Sequence, residues 1–129
     1  MIPKYRAWYK EWKEMGRVGG IRFDLDGSVS VVLFKGNYLD VSGPREKIIL
    51  MQSTGLKDKN GKEIFEKDIV DYKGRKAIVK WHGSYASFIY EFVDELQNRT
   101  TEWQPLYLSY YKFEIIGNSL ENPELLEDN

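Results

Sequence analysis

The amino-acid sequence predicts a mainly β protein with little helix, built as a small SH3-like barrel or a β-sandwich with an N-terminal hairpin extension. Two observations support this fold class. Short apolar runs, rich in β-branched and aromatic residues, are separated by frequent turn signals along the chain. The length of 129 residues suits one domain with a hydrophobic core. We expect residues 1–50 to form a β extension and residues 51–129 to form the core of a small barrel.

The N-terminal segment, residues 5–15, fits two structures. Large side chains at helical spacing would line one face of a helix: Tyr5, Trp8, Tyr9, Trp12 and Met15. Aromatic enrichment also suits strands. We expect a hairpin, with strands at residues 6–8 and from residue 15, because the family resemblance described below implies one. A second hairpin follows, in which residues 21–25 alternate, Asp26 and Gly27 form a two-residue turn, and residues 29–34 return.

Further strands are predicted at residues 38–41, 45–51, 69–72, 77–81, 85–93, 103–111 and 113–116. Between them, residues 42–44 are expected to break the chain, residues 52–55 to end a strand, and residues 94–101 to form a polar loop. Asn122 at a cap and Pro123 at the first helical position predict one turn of helix near the C-terminus.

The densest turn chemistry lies in residues 51–70. Asn60 and Gly61 form a strong turn signal, because both residues tolerate a positive φ angle. Together with Asp58 they look like part of a calcium-binding EF-hand loop. In that register the first and last ligand positions would be Leu56 and Lys67, and neither side chain binds calcium. The segment is therefore predicted to be a structural turn.

This pattern resembles the YopX family of phage and prophage proteins. The matching residues are Arg6-Ala7-Trp8 at the start; Gln52, Thr54-Gly55-Leu56, Asp58, Asn60-Gly61, Ile64, Glu66 and Asp68-Ile69-Val70 in the middle; and Ile116-Gly117-Asn118 with Glu121-Asn122-Pro123-Glu124-Leu125 at the end. One position departs, because the family commonly has glycine where this chain has Lys67. If φ is positive there, Lys67 is strained by about 1 kcal/mol. The resemblance implies a small β-rich fold in a phage setting, without a reaction, cofactor or catalytic residue.

Enzymatic and metal sites find little support in the sequence. His82 is the single histidine, and Ser84, Ser87 and Asp94 complete a triad only on paper, without a nucleophile elbow or an oxyanion motif. There is no cysteine, so a zinc site lacks its usual ligands. The start of a second calcium pattern at residues 24–27 has no further ligands at residues 28–35. We expect no enzyme activity, no metal and no cofactor.

Nucleic-acid binding is the alternative function. Residues 57–80 carry eight basic side chains against five acidic ones, and Trp81, Tyr85 and Phe88 nearby could stack on the bases of a single strand. A formal net charge of −1 argues against a surface that binds polyanions everywhere. Such a basic excess is small beside those of true nucleic-acid grooves.

Charge and hydropathy also bear on location and association. No apolar run is long enough to span a membrane and the first residues do not resemble a signal peptide, so we expect a cytoplasmic protein. Residues 1–22 hold six basic side chains against Glu11 and Glu14, whereas all charged residues after Lys112 are acidic. Two solvated ends explain this asymmetry, and head-to-tail attraction within or between chains is the alternative.

Association with a protein partner or with itself is the function we expect. Several predicted strands are apolar on both faces, among them those that contain residues 31–34 and 48–51, whereas an antiparallel sheet with one face in water should alternate. In the strand at residues 85–93, Tyr85 and Ile89 share the second face, and in the strand at residues 103–111 Tyr107 and Tyr111 do so. Apolar faces without a cover usually mark an interface. These four residues are the predicted partner-binding residues of a non-enzymatic accessory protein of phage or prophage type.

Overall fold

The computed structural model describes residues 4–36, 40–44, 46–96 and 102–127. The chain divides into two compact units, Met1–Gln52 (unit 1) and Ser53–Asn129 (unit 2). The paired strands are antiparallel, and the helical residues in the described ranges lie in short 3₁₀ helices. The prediction of a mainly β fold with little helix is confirmed. The sheets are open rather than closed into barrels, since the strand order of each has two ends.

Unit 1 is a sheet with the strand order β4-β3-β2-β1-β5. Its strands are β1 (Tyr5–Tyr9), β2 (Glu14–Phe23), β3 (Val29–Lys35), β4 (Asp40–Pro44) and the first half of β5 (Ile48–Lys57). The hairpin expected in residues 5–15 is present, with Trp8 of β1 opposite Met15 of β2. The core of unit 1 is formed by buried residues of the three strands β1, β3 and β5: Ala7, Tyr9, Val32, Phe34 and Ile48.

Two segments that were predicted to interrupt or end a strand belong to strands, one in β4 and one in β5. Residues 42–44 do not break the chain, because Ser42 and Gly43 pair with β3 and Pro44 ends the strand. β4 lies at the edge of its sheet, where a proline without an N–H group is tolerated. Residues 52–55 do not end a strand either, since β5 runs through them to Lys57. In the predicted strands at 38–41 and 45–51, residues 38, 39 and 45 lie outside the described residues.

Unit 2 combines a short hairpin, made by the second half of β5 and β6 (Glu63–Phe65), with a five-stranded sheet of order β10-β9-β8-β7-β11. The strands of this sheet are β7 (Asp68–Tyr72), β8 (Arg75–His82), β9 (Ser87–Phe92), β10 (Trp103–Pro105) and β11 (Glu114–Asn118). Its core is a cluster of buried residues: Ile64, Val70, Ala77, Val79, Tyr90, Leu106 and Phe113.

The last third of unit 2 differs most from expectation. The strand predicted at residues 103–111 ends at Pro105, and Leu106–Leu108 and Tyr110–Lys112 are 3₁₀ helices. The strand predicted from residue 85 begins at Ser87, because Gly83–Tyr85 is another 3₁₀ helix. The turn of helix predicted near the C-terminus is present at Pro123–Leu126, although the Asn122 side chain does not cap it.

The predicted polar loop at residues 94–101 begins in a 3₁₀ helix, Val93–Glu95, and its residues 97–101 lie outside the described ranges. Among the helices that the structure describes, none is both long enough and apolar enough to cross a membrane.

Candidate functional site

The turn segment that dominates the sequence has a structural role. The Asp58 carboxylate is buried and accepts hydrogen bonds from the backbone N–H groups of Asn60 and Lys62 at 2.9 Å and of Ile115 in β11, also at 2.9 Å. Gly61 has a φ angle of +81°, as the turn signal predicted. The segment is therefore a turn, as predicted, and both Asp58 oxygens accept hydrogen bonds from backbone groups.

Other residues that resemble the family motif also bond the backbone. Asp68 is buried, and its carboxylate accepts a hydrogen bond from the Phe65 N–H at 2.8 Å. Asn118 is buried, and its side-chain oxygen accepts from the N–H groups of Leu120 and Glu121 at 3.1 and 2.8 Å. Buried polar groups that are satisfied in this way hold turns in place. These motif residues therefore have a structural role in the fold.

The four predicted partner-binding residues do not share one surface. Tyr85, Tyr107 and Tyr111 are 65%, 59% and 57% exposed, whereas Ile89 is only 2% exposed. Ile89 lies within β9, between Lys80 of β8 and Pro105 of β10, and its side chain is in the interior of the folded chain. Its assignment as a partner-binding residue is therefore wrong, because a buried side chain presents no surface to a partner.

A different set of residues in unit 2 lines an exposed cavity of about 290 Å³, which we call the aromatic groove. Trp81 of β8 and Phe88 of β9 are cross-strand partners, and their rings meet edge to face with centroids 5.0 Å apart. Such a pair presents a large apolar surface with defined geometry. The full lining is Thr54, Leu56, Trp81, Ala86, Ser87, Phe88 and Tyr107.

The loop at one side of the groove has an unfavourable backbone conformation. Ala86 follows the 3₁₀ helix Gly83–Tyr85 with a φ angle of +48°, in the left-handed region. This region costs a residue with a Cβ atom roughly 1–2 kcal/mol. Such positions cluster at binding and active sites. The strained backbone at Ala86 is therefore a second feature, beside the concave shape of the groove, that is typical of a binding site.

A second cavity of about 250 Å³, the lysine cavity, shares Trp81 with the aromatic groove. Its lining is Glu66, Lys67, Ile78, Val79, Lys80 and Trp81. The Lys80 ammonium lies 3.0 Å from the Glu91 carboxylate. The Lys67 ammonium makes no ion pair within the described ranges. The two cavities together place a mainly apolar lining beside a lining that includes two lysine residues.

Lys67 has a φ angle of +69°, which confirms the strain expected where the chain departs from the family pattern. The backbone holds this conformation from both sides. Its N–H donates to the Val79 carbonyl at 2.8 Å, and its carbonyl accepts from the Ser119 N–H at 2.9 Å. Lys67 therefore lines the cavity in a backbone conformation that would suit glycine better.

His82 belongs to an aromatic cluster and not to a catalytic triad. Its ring centroid lies 4.8 Å from that of Tyr85 and 4.9 Å from that of Trp103. The carboxylate of Asp94, considered as the third triad member, binds Arg75 instead, through the guanidinium Nε at 2.9 Å and an Nη at 3.1 Å. This pairing lowers the pKa of Asp94. Among the described residues, no group of three or more acidic, histidine or cysteine side chains is placed to hold a metal.

The sequence predicted part of the groove, namely the two aromatic residues Trp81 and Phe88, but not their common location with the other lining residues. Strands predicted at residues 77–81 and 85–93 are neighbours in the chain, and their pairing in the structure sets Trp81 opposite Phe88. The sequence identifies both aromatic side chains as candidates for stacking on bases. It does not place them beside Leu56 and Tyr107, which come from distant parts of unit 2. No local pattern brings residues 56, 81, 88 and 107 together, so their common location is a tertiary result.

The structure thus defines a two-unit antiparallel β protein with an aromatic groove exposed on its second unit. The sequence profile of the YopX protein family matches residues 4–127, and the chain belongs to this family. The chain is also similar to protein EF1440 from Enterococcus faecalis, known from a crystal structure. The two are 32% identical, the similarity covers 98% of this chain and 99% of that one, and the TM-score is 0.69. No curated protein matches the chain.

Proposed function

We propose that this protein is a non-enzymatic accessory protein of phage or prophage type that binds a protein partner through the aromatic groove of unit 2. The observation that carries the proposal is the exposed Trp81–Phe88 ring pair, which forms one wall of a concave cavity with Tyr107 in its lining. Aromatic residues in a partly dry pocket provide much of the binding energy at protein interfaces. A cytoplasmic location, expected from the sequence, and an SH3-like arrangement of unit 2 remain predictions within this proposal.

The proposal of a binding role is supported by the way acidic side chains are used. Asp58 and Asp68 bond backbone groups, and Asp94 binds Arg75. General acid–base catalysis needs a carboxylate in a cleft with freedom to exchange a proton. The groove lining contains no carboxylate, and the lysine cavity contains one, that of Glu66.

Selection from a random peptide library on the immobilised protein tests this proposal. We expect groove-dependent peptides that bind the wild type, and roughly tenfold weaker binding to Tyr107→Ala. Tyr111→Ala is the matched control, because Tyr111 is equally exposed and does not line the groove. Peptides that bind both variants like the wild type, or an absence of selected peptides, would contradict a groove that recognises proteins.

Single-stranded nucleic-acid binding is the second candidate, and the exposed rings of Trp81 and Tyr85 favour it. The charge of unit 2 weighs against it, because residues 53–129 hold ten basic and fourteen acidic side chains, a net charge of −4. Fluorescence anisotropy with a labelled single strand over a salt series decides between the two. Affinity that falls steeply as salt rises would favour the nucleic-acid role.

A further inference from the structure

We propose that the aromatic groove receives the β2–β3 tip, residues 23–28, of a second copy of this chain, so that the copies associate head to tail. This inference rests on the proposed function, since it names the partner of the same groove. It is argued from the exposure of the tip, its rigidity, and its match to the groove and the lysine cavity in shape and charge.

The tip exposes the apolar side chains most available in unit 1. Leu25 is fully exposed, at 110% of its reference area, and Phe23 is 59% exposed. Single exposed apolar residues are common at protein surfaces. Two of them on one hairpin end, however, make a compact apolar projection that water solvates poorly.

Hydrogen bonds hold the tip in one conformation. The Asp24 N–H donates to the Ser28 carbonyl at 2.8 Å, and the Gly27 N–H donates to the Asp24 carbonyl at 2.9 Å. The Asp26 carboxylate accepts from the Ser28 N–H at 2.9 Å and from its hydroxyl at 2.6 Å. Leu25 is therefore presented on an ordered turn. A preorganised loop loses less conformational entropy when it binds than a flexible one.

The shape and chemistry of the groove suit such a projection. A cavity of about 290 Å³ has room for a leucine side chain, whose own volume is roughly a third of that value. Leu56, Trp81 and Phe88 supply apolar contact surface for it. Burial of a leucine side chain contributes roughly 1.5–3 kcal/mol, and aromatic walls provide well-defined contacts.

The charges beside the two surfaces are complementary. Leu25 is flanked by Asp24 and Asp26, and hydrogen bonds from Ser28 lower the pKa of Asp26, so that its carboxylate stays charged. The lysine cavity that adjoins the groove at Trp81 has Lys67 and Lys80 in its lining. Its acidic neighbours are Glu66 in the lining and Glu91, which pairs with Lys80. The Lys67 ammonium is left to meet a carboxylate of the tip.

The net charges of the two units also favour association between copies. Residues 1–52 hold nine basic and six acidic side chains, a net charge of +3, while residues 53–129 carry −4. Unit 1 of one copy is therefore attracted to unit 2 of another, which raises the rate of encounter. Because tip and groove are different surfaces, the contact is heterologous, and repetition produces a ring or a filament rather than a twofold dimer.

Association is measured by light scattering coupled to size exclusion over a concentration series. We expect the wild type to form concentration-dependent oligomers. Leu25→Ser removes the projection and Tyr107→Ala weakens the groove, and each is expected to raise the dissociation constant roughly tenfold or more. Ile116→Ser and Tyr111→Ala are the matched controls, because both residues are exposed outside the two surfaces and should leave association unchanged.

A mixing experiment separates head-to-tail association from a twofold contact. The experiment is run at a concentration at which the wild type associates and each variant alone is monomeric. An equimolar mixture of Leu25→Ser and Tyr107→Ala then contains one intact groove and one intact tip. We expect this mixture to form a 1:1 dimer that does not grow further. Thermal unfolding of each variant, followed by circular dichroism, checks that the fold is retained.

A wild type that stays monomeric at high micromolar concentration would overturn this inference. Variants that associate as tightly as the wild type, or a mixture that stays monomeric, would overturn it as well. Tyr107-dependent binding of library peptides would then leave the proposed function intact. If the wild type stays monomeric and no Tyr107-dependent peptides are selected, the groove is not a protein-binding surface.

Discussion

At the scale of single residues, buried polar side chains account for most of the specific sequence pattern. Asp58 is the best example, because one carboxylate accepts from three backbone N–H groups and links the turn at residues 58–62 to β11. The sequence predicted the turn correctly from Asn60 and Gly61. It did not predict the bond to Ile115, since that partner is 57 positions away.

Asp58→Ala is expected to lower the free energy of unfolding by about 3 kcal/mol, because it leaves three N–H groups without their acceptor. Urea denaturation measures the change. Asp71→Ala is the control, since the Asp71 carboxylate accepts one exposed hydrogen bond, from the Gly74 N–H at 3.3 Å, and should cost about 0.5 kcal/mol. Equal effects of the two substitutions would contradict the role given to Asp58.

Lys67→Gly is expected to raise the free energy of unfolding by about 0.5–1 kcal/mol. Relief of the strain at φ +69° exceeds the additional entropy that glycine gives to the unfolded chain. Lys76→Gly in the middle of the sheet, where φ is not positive, should lower the same free energy by about 0.5–1 kcal/mol. The same denaturation curves report both variants, and a destabilised Lys67→Gly protein would show that its side chain contributes more than its backbone costs.

At the scale of elements, strands with clear turns on both sides were predicted well and edge segments were not. The strand predicted at residues 103–111 is an edge strand of three residues that ends at Pro105, whose ring has no N–H group to continue a ladder. Leu106 then enters the core from a 3₁₀ helix. The alternation of apolar residues therefore predicted the burial of Leu106 correctly, but it predicted a strand where the structure has a 3₁₀ helix.

An ion-pair cluster connects β8 with the 3₁₀ helix Val93–Glu95 that follows β9. Arg75 binds Asp94 and also Glu95, the latter at 2.8 Å, and its guanidinium lies 3.5 Å from the centroid of the Phe92 ring. The lowered pKa of Asp94 results first from its hydrogen bonds to Arg75. Because the pair is exposed, we expect a small effect on stability and a clear effect on titration.

The Asp94 carboxyl should titrate below its ordinary pKa of 3.8, as measured by NMR of the side-chain carbon. A lowered folded-state pKa means that the stabilising contribution is present above the unfolded-state pKa and is lost as pH falls through the folded-state pKa. Arg75→Met should raise the pKa of Asp94 towards its ordinary value. Lys80→Met, which removes the ion pair with Glu91, should not change it, and a shift of similar size there would argue against a local cause.

At the scale of the whole molecule, the structure provides a scaffold of two β units on which exposed aromatic and charged residues are positioned. The acidic side chains that resembled calcium ligands are engaged with backbone groups and with Ser28. Adding Ca²⁺ or Zn²⁺ should therefore leave the melting temperature unchanged, because a ligand that binds the folded state raises it. Differential scanning fluorimetry with and without a chelator tests this, and a clear rise with either metal would reveal a site that these contacts do not show.

The sequence by itself determined the mainly β class, most hairpins, the turn at Gly61 and the family, because turn chemistry and alternation act between residues close in the chain. The strained backbone at Lys67 followed from comparing one residue with the family pattern. Tertiary structure decided that Ile89 is buried, that β5 continues to Lys57, and that Leu56, Trp81, Phe88 and Tyr107 line one groove. These outcomes depend on which distant segments pack together, and the free energy of that packing is not encoded in any local window of the sequence.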